Sequence, residues 1–599
     1  MLNKDTINKQ IMTRRTFVIG AGKLGLLFLL AGRMFSMQFI KKDEYKTLSD
    51  KNRIKVIIIP PDRGQIFDVN ENIIAKNNTC FHLFLDKNVN PRFSKEISLV
   101  TEILELDDVH IKEVQKRVRN AGRRIAAVII DCLNWKQVAI IEERRSEFKS
   151  LFVDTGFNRF YRSGTATAHI VGHLGKVRKN TKNQSLKLVG ENFRVGVNGI
   201  ESYYEESLRG KFGNKRIEVN ARGKYVRELG NMAPTPGKDL HLNIDIALQK
   251  KALSYLSSQG CSAIVMDCTN GDVLISASAP SYNPNEFYKL SNKYWNSLIN
   301  NPYKPLIDKT IRSLYPPGSI FKIITVLAAL ESGVDPADKI ICTGGPVIKG
   351  SKYFRCARSR GHGALNMIDA VKHSCNTYIY AIARQIGADK IMETAKKLGL
   401  GAPTGVDLPG ELSGFIPSKS WKKERYGTKW RTGDTLNLSI GQGDLLSTPM
   451  QLVRLIAAIA SNGKLFTPRI VKGEGPPEYT QIDISPEHLG ILKTALYHTM
   501  NSKGGTGYAN RINYKSMRMA GKTGTAQVQS KKHTHDNLSR EDIAWKSRNH
   551  AIFSGYAPFD NPKYAISIYY DHGGGGSKSA TPIAKKIMLD VLSKYANKL

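Results

Sequence analysis

This chain has few long apolar stretches and few cysteines. Its 599 residues contain one long apolar stretch, at residues 17–40, which excludes a bundle of membrane helices. The seven cysteines are an odd number, which argues against a fully paired disulfide framework. Four of the cysteines show no feature that marks a site: Cys80, Cys132, Cys261 and Cys268. The length predicts two to four domains.

Acidic residues are also in short supply. The chain has 52 Asp and Glu against 89 Lys and Arg, a formal net charge of +37. Such a charge is typical of proteins that meet nucleic acid, an anionic membrane surface or an anionic polymer. No nucleic-acid-binding motif accompanies it, so no nucleic-acid partner is predicted. Two interpretations stay open, which are a lysine-rich solvated surface and attraction to an anionic lipid or polymer.

Complete phosphate-binding and metalloprotease motifs are missing. Residues 521–523 end like a phosphate-binding loop, but Ser516 stands where the loop needs glycine. Residues 573–576 fail in the same way because Ser577 replaces the required glycine. The histidine pair at residues 169 and 173 lacks the glutamate of a zinc protease. Nucleotide hydrolysis and this type of metal-dependent proteolysis are therefore excluded.

The apolar stretch at residues 17–40 is long enough to cross a membrane. Lys23 and Arg33 interrupt it near its ends, where long side chains can reach the interface. Four basic residues and a single acidic residue precede it, and this predicts a cytoplasmic N-terminus with the rest of the chain outside. No cleavage site follows, which favours a retained anchor. The Arg14–Arg15 pair also fits a twin-arginine export signal, and that alternative stays open.

The chemistry of the chain is concentrated around residues 316–322. Pro and Gly at 316–318 predict a turn, and the apolar residues 320–330 predict a buried helix directly after it. Ser319 and Lys322 lie three residues apart, so their side chains share one helix face. A partly desolvated lysine can be neutral enough to take the proton of a serine nucleophile. The same pattern recurs at residues 420–423, so Ser-x-x-Lys alone is weak evidence.

Two further motifs make this signal specific. Ser374-Cys375-Asn376 is a Ser-x-Asn, and Lys522-Thr523-Gly524 is followed by Thr525. The three motifs in this order are the signature of penicillin-binding proteins and serine β-lactamases. The chain therefore resembles a penicillin-binding transpeptidase.

Other segments resemble the non-catalytic domain of class B penicillin-binding proteins. They are Arg63-Gly64 with Asp68, Gly199-Ile200-Glu201 with Tyr203-Tyr204, and Leu208-Arg209-Gly210. The resemblance covers nearly the whole chain after residue 50. It favours the penicillin-binding protein 2 group, the elongation transpeptidases, with a division-type relative as the next choice.

The resemblance implies an α+β protein in four parts. We expect a cytoplasmic tail at 1–16, a transmembrane helix at 17–40, an elongated mainly-β pedestal of the dimerisation type at 50–236 and a transpeptidase domain at 237–599. The last should be an antiparallel sheet flanked by helices, as in serine β-lactamases. Local signals add a hairpin turning at Asn270-Gly271, a helix capped by Thr448 and Gln451, and a helical insert at 95–150.

The resemblance also implies a role for each motif residue. Ser319 would attack the penultimate D-alanine carbonyl of a stem peptide, with Lys322 as general base. Ser374 would relay the proton, and Asn376 would hold Lys322 and the substrate. The third motif would bind the substrate carboxylate through these residues: Lys522, Thr523, Gly524 and Thr525. An amine of a second stem peptide would then accept the acyl group. The N–H groups of Ser319 and Thr525 would form the oxyanion hole.

The same resemblance implies the location and the partners. It places the protein in the bacterial inner membrane as a single-pass protein, with its catalytic domain in the periplasm. The expected ligands are stem peptides and β-lactams, and the expected partners are a membrane-embedded glycosyltransferase and other elongation-complex proteins. No organic cofactor is expected. Three alternatives stay open, namely a D-alanyl carboxypeptidase, a β-lactamase-like sensor and a non-catalytic scaffold.

A second group of residues suits zinc. Three cysteines and one histidine, a complete tetrahedral ligand set, fall within 34 residues: Cys342, Cys356, His362 and Cys375. The resemblance to the penicillin-binding protein 2 group implies a structural zinc here. Because Cys375 lies inside the Ser-x-Asn motif, the metal would hold the loop that carries it. A Cys342–Cys356 disulfide or buried thiols are the alternatives, and His373 is a rival ligand.

Overall fold

A computed structural model describes residues 4–43, 53–87, 89–90, 93–120, 127–177, 193–220, 225–347, 354–528 and 545–595. The helices are α1 Lys4–Phe35, α2 Phe93–Ile103, α3 Asp108–Asn120, α4 Trp135–Glu143, α5 Ala168–Val171, α6 Gly199–Tyr203, α7 Glu205–Arg209, α8 Ile246–Tyr255, α9 Asn292–Ile299, α10 Lys322–Glu331, α11 Met367–Lys372, α12 Asn376–Lys397, α13 Lys419–Tyr426, α14 Thr432–Ser439, α15 Pro449–Ala460, α16 Pro486–Asn501 and α17 Ala580–Lys594.

The strands are β1 Ile54–Ile59, β2 Ile66–Phe67, β3 Ile73–Leu85, β4 Ala127–Leu133, β5 Leu151–Tyr161, β6 Leu174–Lys176, β7 Arg194–Gly196, β8 Gly213–Val219, β9 Tyr225–Met232, β10 Leu240–His241, β11 Cys261–Asp267, β12 Val273–Ala279, β13 Ile340–Cys342, β14 Gly363–Leu365, β15 Lys464–Phe466, β16 Tyr479–Gln481, β17 Ala520–Ala526, β18 His550–Ala557 and β19 Tyr564–Tyr570.

The N-terminal helix is the one described helix that could span a membrane. Helix α1 continues into a π-helical turn at Ser36–Ile40, and Arg14–Ile40 is long and apolar enough to cross a bilayer. Its large apolar side chains are exposed, as a lipid-facing helix requires. The expected span at 17–40 falls inside this segment.

The chain forms two compact units, and each is discontinuous in sequence. The first contains Met1–Asp62, Cys80–Gly156 and Lys211–Thr235. Strands β1, β8 and β9 make an antiparallel sheet with β8 in the middle. Strand β4 pairs with Phe81–Leu85 of β3, and the helices α2, α3 and α4 pack on a core that includes Leu83, Val100 and Ile129.

Two expectations for this unit were wrong. The segment at 95–150 is not a purely helical insert, because β4 runs through it and pairs with β3. Cys80 and Cys132 are not unremarkable, because they form a disulfide across this pair of strands. The other five cysteines are free and buried, in agreement with the argument against a fully paired framework.

The second unit contains Arg63–Thr79, Phe157–Gly210 and Pro236–Leu599. Its centre is a five-stranded antiparallel sheet in the order β12-β11-β19-β18-β17. The hairpin predicted at Asn270-Gly271 joins β11 to β12 and is confirmed. Strand β17 lies at one edge of the sheet and carries residues 522–525.

Helices cover both faces of this sheet, as the predicted α+β fold requires. Helices α8 and α17 pack on one face, against residues such as Val265 and Ile566. Helices α15 and α16 pack on the other face. Helix α10 lies in the same helical group, and nine of its ten residues are buried. The capping box predicted for α15 is confirmed, since Thr448 and Gln451 each accept a hydrogen bond from the other's backbone N–H.

The class B segments meet in an ion-pair network inside the second unit. Glu201 is fully buried, with Arg63 2.6 Å from one carboxylate oxygen and Arg159 2.7 Å from the other. Burial alone would raise the pKa of Glu201, but the two guanidinium groups lower it overall. A charge buried in this way is stable only while its partners are present.

Candidate active site

A tight turn brings Ser319 to the edge strand β17. Ser319 is the middle residue of a 3-10 turn, Gly318–Ile320, and is half-buried. Gly318 has φ of +53°, and a Cβ there would lie 2.9 Å from the carbonyl oxygen of Thr525. The Gly318 N–H donates to the carbonyl of Gly441 at 3.0 Å. Glycine is needed because the turn is held between two other backbone segments.

Lys322, the first residue of α10, is fully buried. Its ammonium donates to Asn376 Oδ1 at 2.6 Å, to Ser374 O at 2.7 Å and to Ser374 Oγ at 3.2 Å. Burial lowers the pKa of Lys322 from 10.5 to about 8, although electrostatic interaction with the nearby Cys356 and Cys375 sulfurs opposes this shift. A lysine with such a pKa is partly neutral near pH 8 and can act as a base.

Ser374 and Asn376 therefore reach Lys322 from the start of α12. Ser374 has φ of +55°, a conformation that non-glycine residues rarely adopt and that clusters at functional sites. Asn376 donates from its Nδ2 to the carbonyl of Arg355 at 3.2 Å, which fixes the amide so that Oδ1 faces Lys322. The first two sequence motifs are thus in direct contact.

The third motif lies on β17. Lys522 is fully buried, and burial, with a further contribution from the charge of Lys322, lowers its pKa well below 10.5. Gly524 packs closely on Ile320, since a Cβ there would meet that side chain at 3.2 Å. Thr525 is exposed, and its Oγ1 accepts a hydrogen bond from Gly576 N–H at 3.3 Å.

Sequence reasoning missed one residue of this site. The hydroxyls of Thr506 and Thr523 lie 2.7 Å apart. Thr506 belongs to a Gly504-Gly505-Thr506-Gly507 loop whose Gly504 carbonyl also accepts a hydrogen bond from His373 Nδ1 at 3.0 Å. One threonine among three glycines was the available signal, because such a loop lets the backbone approach closely.

The four expected metal ligands lie together beside the Ser-x-Asn motif. All four ligand atoms are within 4.8 Å of one another. The sulfurs of Cys342 and Cys356 are each 3.5 Å from His362 Nδ1, and the sulfurs of Cys356 and Cys375 are 4.0 Å apart. Zn–S bonds near 2.3 Å and Zn–N bonds near 2.0 Å give tetrahedral edges of roughly 3.5–3.8 Å, so the donor set fits zinc.

Neither the alternative ligand, His373, nor the alternative Cys342–Cys356 disulfide is part of this cluster. His373 stacks on His362 with ring centres 5.6 Å apart, but it is not one of the four clustered ligands. Cys342 and Cys356 are both free thiols. A serine hydroxyl, a buried amine, a second serine hydroxyl and a strand edge that carries a lysine are therefore assembled in one place, and serine acyl transfer uses groups of these kinds.

Comparison with known proteins decides the family. The model of the penicillin-binding protein transpeptidase domain matches residues 261–589. The chain belongs to this family. The model of the penicillin-binding protein dimerisation domain matches residues 58–242, as in class B members.

Curated relatives agree over the full length. Peptidoglycan D,D-transpeptidase MrdA of Haemophilus influenzae is 33% identical over 603 residues, which cover 97% of this chain and 92% of that protein. MrdA of Escherichia coli K12 is 29% identical and covers 96% of this chain and 94% of the relative.

Solved structures give the same result. Penicillin-binding protein 2 of Helicobacter pylori, in its complex with MreC, has a TM-score of 0.80 and 28% identity, covering 90% of this chain and 99% of that one. Penicillin-binding protein 2 of Pseudomonas aeruginosa has a TM-score of 0.65 and 26% identity, covering 89% and 97%.

The predicted family, α+β fold and enzyme class are thereby confirmed. The protein is a class B penicillin-binding protein and a serine-type peptidoglycan D,D-transpeptidase of the elongation type. The carboxypeptidase, sensor, scaffold and division-type alternatives are not favoured.

Proposed function

We propose that Ser319 is the acylated nucleophile of this transpeptidase and that Lys322 is its general base. The observation that supports this most directly is the buried Lys322 ammonium with Ser374 Oγ and Asn376 Oδ1 as its acceptors. As the neutral amine, Lys322 takes the Ser319 proton during attack on the penultimate D-alanine carbonyl. The Ser319–carbonyl bond forms, and the terminal D-alanine leaves.

The remaining motif residues complete the cycle. Ser374 passes the proton to the leaving amine, and Asn376 holds Lys322 in place. Lys522 supplies positive charge for the substrate carboxylate, with hydroxyls from Thr523 and Thr525 as hydrogen-bond donors. The N–H groups of Ser319 and Thr525 stabilise the oxyanion, at roughly 3–4 kcal/mol per donor. A second stem peptide's amine then takes the acyl group and releases Ser319.

Mass spectrometry tests the nucleophile. Incubation with benzylpenicillin should add one adduct to the peptide bearing Ser319 and none to the peptide bearing Ser420, which repeats the Ser-x-x-Lys pattern on α13. Ser319→Ala should lose the adduct with an unchanged thermal midpoint. Ser516→Ala, an exposed serine outside the site, is the matched control and should label like the wild type. Full labelling of Ser319→Ala would rule out this nucleophile.

We propose further that the Cys/His cluster holds a structural zinc. Cys342, Cys356, His362 and Cys375 would be its ligands, and the metal would supply rigidity rather than catalysis. The support is the set of inter-ligand distances and the position of Cys375 between Ser374 and Asn376. Both neighbours of Cys375 contact Lys322, so any displacement of this cysteine moves the base.

Metal analysis tests the zinc site. The purified protein should contain about one zinc per chain by elemental analysis. Cys342→Ser should lower that content and slow penicillin acylation, whereas Cys268→Ser, a buried free cysteine outside the cluster, should do neither. A zinc-free wild type that acylates at the normal rate, with Cys342 and Cys356 found oxidised to each other, would favour the disulfide instead.

We propose that α1 anchors the protein in the inner membrane with its N-terminus in the cytoplasm. The basic residues before the span support this orientation, and the transpeptidase domain then faces the periplasm. The likeness to the penicillin-binding protein 2–MreC complex and to a peptidoglycan synthase complex supports a glycosyltransferase and an MreC-like scaffold as partners. Protease added to spheroplasts should degrade the transpeptidase domain and leave an N-terminal tag intact.

A further inference from the structure

A cationic cavity lies in the second unit, outside the Ser319 site. Its volume is about 690 Å³, and it is lined by α12, α13 and the segment that leads into α14. Five cationic side chains and one tryptophan stand in its lining, and no Asp or Glu does: Arg384, Lys419, Lys423, Lys429, Arg431 and Trp430. We call this group the basic cavity.

Most of this charge is unmatched within the described chain. Lys419 pairs with Asp389 on α12. The other four cations have no carboxylate within 4.0 Å among the described residues. The nearest acid of α14, Asp434, is already paired with Lys422, which lies outside the cavity. Like charges around a concave surface raise the local positive potential and concentrate anions there.

The cavity also offers one ordered aromatic surface. Trp430 is half-buried, and its Nε1 donates to Thr435 Oγ1 at 2.9 Å, which fixes the ring. An indole held in this way gives a ligand an apolar contact beside the cations. The combination suits a small organic anion better than an inorganic ion.

The walls of the basic cavity are also elements that build the active site. Helix α12 starts at Asn376, which contacts Lys322, and Arg384 follows eight residues later, about 12 Å along the axis. Helix α14 ends at Ser439 and leads to Gly441, which holds Gly318. A ligand in the cavity therefore contacts both elements that position the reacting groups.

We propose that the basic cavity binds the carboxylates of an uncrosslinked peptidoglycan stem peptide, as a second site for the same polymer. This rests on the transpeptidase function. Stem peptides are anionic, and guanidinium groups bind carboxylates in a bidentate manner. The volume suits a short peptide, since small-molecule sites span about 300–1,000 Å³. A concave site bordered by three segments fits a short peptide better than it fits the planar surface of a lipid bilayer.

A binding experiment on acylated protein tests the proposal. Full-length protein in detergent micelles is first acylated at Ser319 with benzylpenicillin, so that peptide cannot enter the active site. A fluorescein-labelled stem pentapeptide with free carboxylates is then titrated, in parallel with the same peptide amidated. The free peptide should bind and the amidated one should bind at least about tenfold more weakly, as expected when charged contacts are lost.

Charge-reversal variants test whether the peptide binds in the basic cavity. Lys423→Glu with Arg431→Glu should raise the Kd of the free peptide at least about tenfold. Lys250→Glu with Lys293→Glu changes the net charge equally at two exposed lysines on α8 and α9 and should change the Kd less than about twofold. Circular dichroism and thermal midpoints of both double variants should match the wild type.

Each other outcome overturns the proposal. Equal weakening in both double variants means a general charge effect, and equal binding of the amidated peptide means that carboxylates are not recognised. Competition by peptide-free vesicles of anionic lipid, lost in the Lys423→Glu, Arg431→Glu variant, means that the cavity binds lipid headgroups. Absence of peptide binding by acylated wild type also refutes it. Failure of the acylation step itself would instead contradict the Ser319 assignment.

Discussion

At the scale of single residues, we expect Lys322 to determine how acylation depends on pH. Burial lowers the pKa of its ammonium to about 8, so the neutral base is a minor form at pH 6.5 and the major form above pH 8. We expect the second-order rate constant for acylation by benzylpenicillin to rise with pH and level off above about pH 8. Stopped-flow measurements from pH 6 to 9.5 check this. A rate that is flat across the range would remove Lys322 as the titrating base.

We expect Thr506 to contribute to ligand binding although it belongs to none of the three motifs. Its hydroxyl is 2.7 Å from that of Thr523, which is buried, so removing it leaves a buried hydroxyl without this partner. Thr506→Val should weaken the initial binding of penicillin by about 1–3 kcal/mol, with a smaller effect on the acylation step. Thr506→Ser keeps the hydroxyl and should restore binding. Equal loss in both variants would show that loop packing, not the hydroxyl, is responsible.

The motif residues and Thr506 differ in what the sequence can reveal. Ser319 and Lys322 share one turn, and the order of the three motifs is distinctive, so their proximity was predictable. Thr506 depends on a hydrogen bond to a residue 17 positions later, which no local pattern encodes. The positive φ of Ser374 is likewise imposed by its contacts and has no sequence signal.

At the scale of secondary structure, two glycines with positive φ differ in the space that an added Cβ would meet. Comparing them distinguishes the cost of the backbone conformation from the cost of a steric clash. Gly318, in the turn that carries Ser319, has Thr525 O 2.9 Å from the position that a Cβ would occupy. Gly333, after α10, has φ of +81° and open space around that place. We expect Gly318→Ala to slow penicillin acylation more than about tenfold, because the turn must move. Gly333→Ala should cost about 1 kcal/mol of stability with acylation retained.

Local signals predicted some elements well and others not at all. The Asn-Gly hairpin and the capping box of α15 depend on neighbours within a few residues, so the sequence contains the whole signal. Strand β4 and the Cys80–Cys132 disulfide depend on pairing across about fifty residues, and β4 lies between helical patterns.

At the scale of the whole molecule, each compact unit combines stretches that lie far apart in the sequence. Arg63 and Glu201 belong to segments that resemble the non-catalytic domain of the family, yet they lie in the unit that contains the transpeptidase sheet. The sequence indicated each segment separately. Their ion pair, across 138 residues, required the structure, because partner choice for a buried charge is set by packing.

The buried charge of Glu201 gives a prediction for this unit. Glu201→Gln keeps the shape but leaves Arg63 and Arg159 without their shared carboxylate, a loss of about 3–5 kcal/mol. We expect a lower thermal midpoint, measured as loss of fluorescent-penicillin labelling, which reports on the transpeptidase sheet. Glu218→Gln makes the same change at a carboxylate that contacts Arg53 and Arg227 near the surface, and it should shift the midpoint far less.

The pH dependence of that difference identifies its origin. The folded pKa of Glu201 is lowered, so its stabilisation is complete above the ordinary glutamate pKa and is lost as pH falls through the lowered value. The gap between wild type and Glu201→Gln should therefore be full at pH 7 and shrink as pH falls below 4.5 towards the lowered pKa, because both forms then carry an uncharged side chain. A gap of constant size down to the pH at which the wild type unfolds would attribute the effect to packing of the amide, and the carboxylate charge would have no part in it.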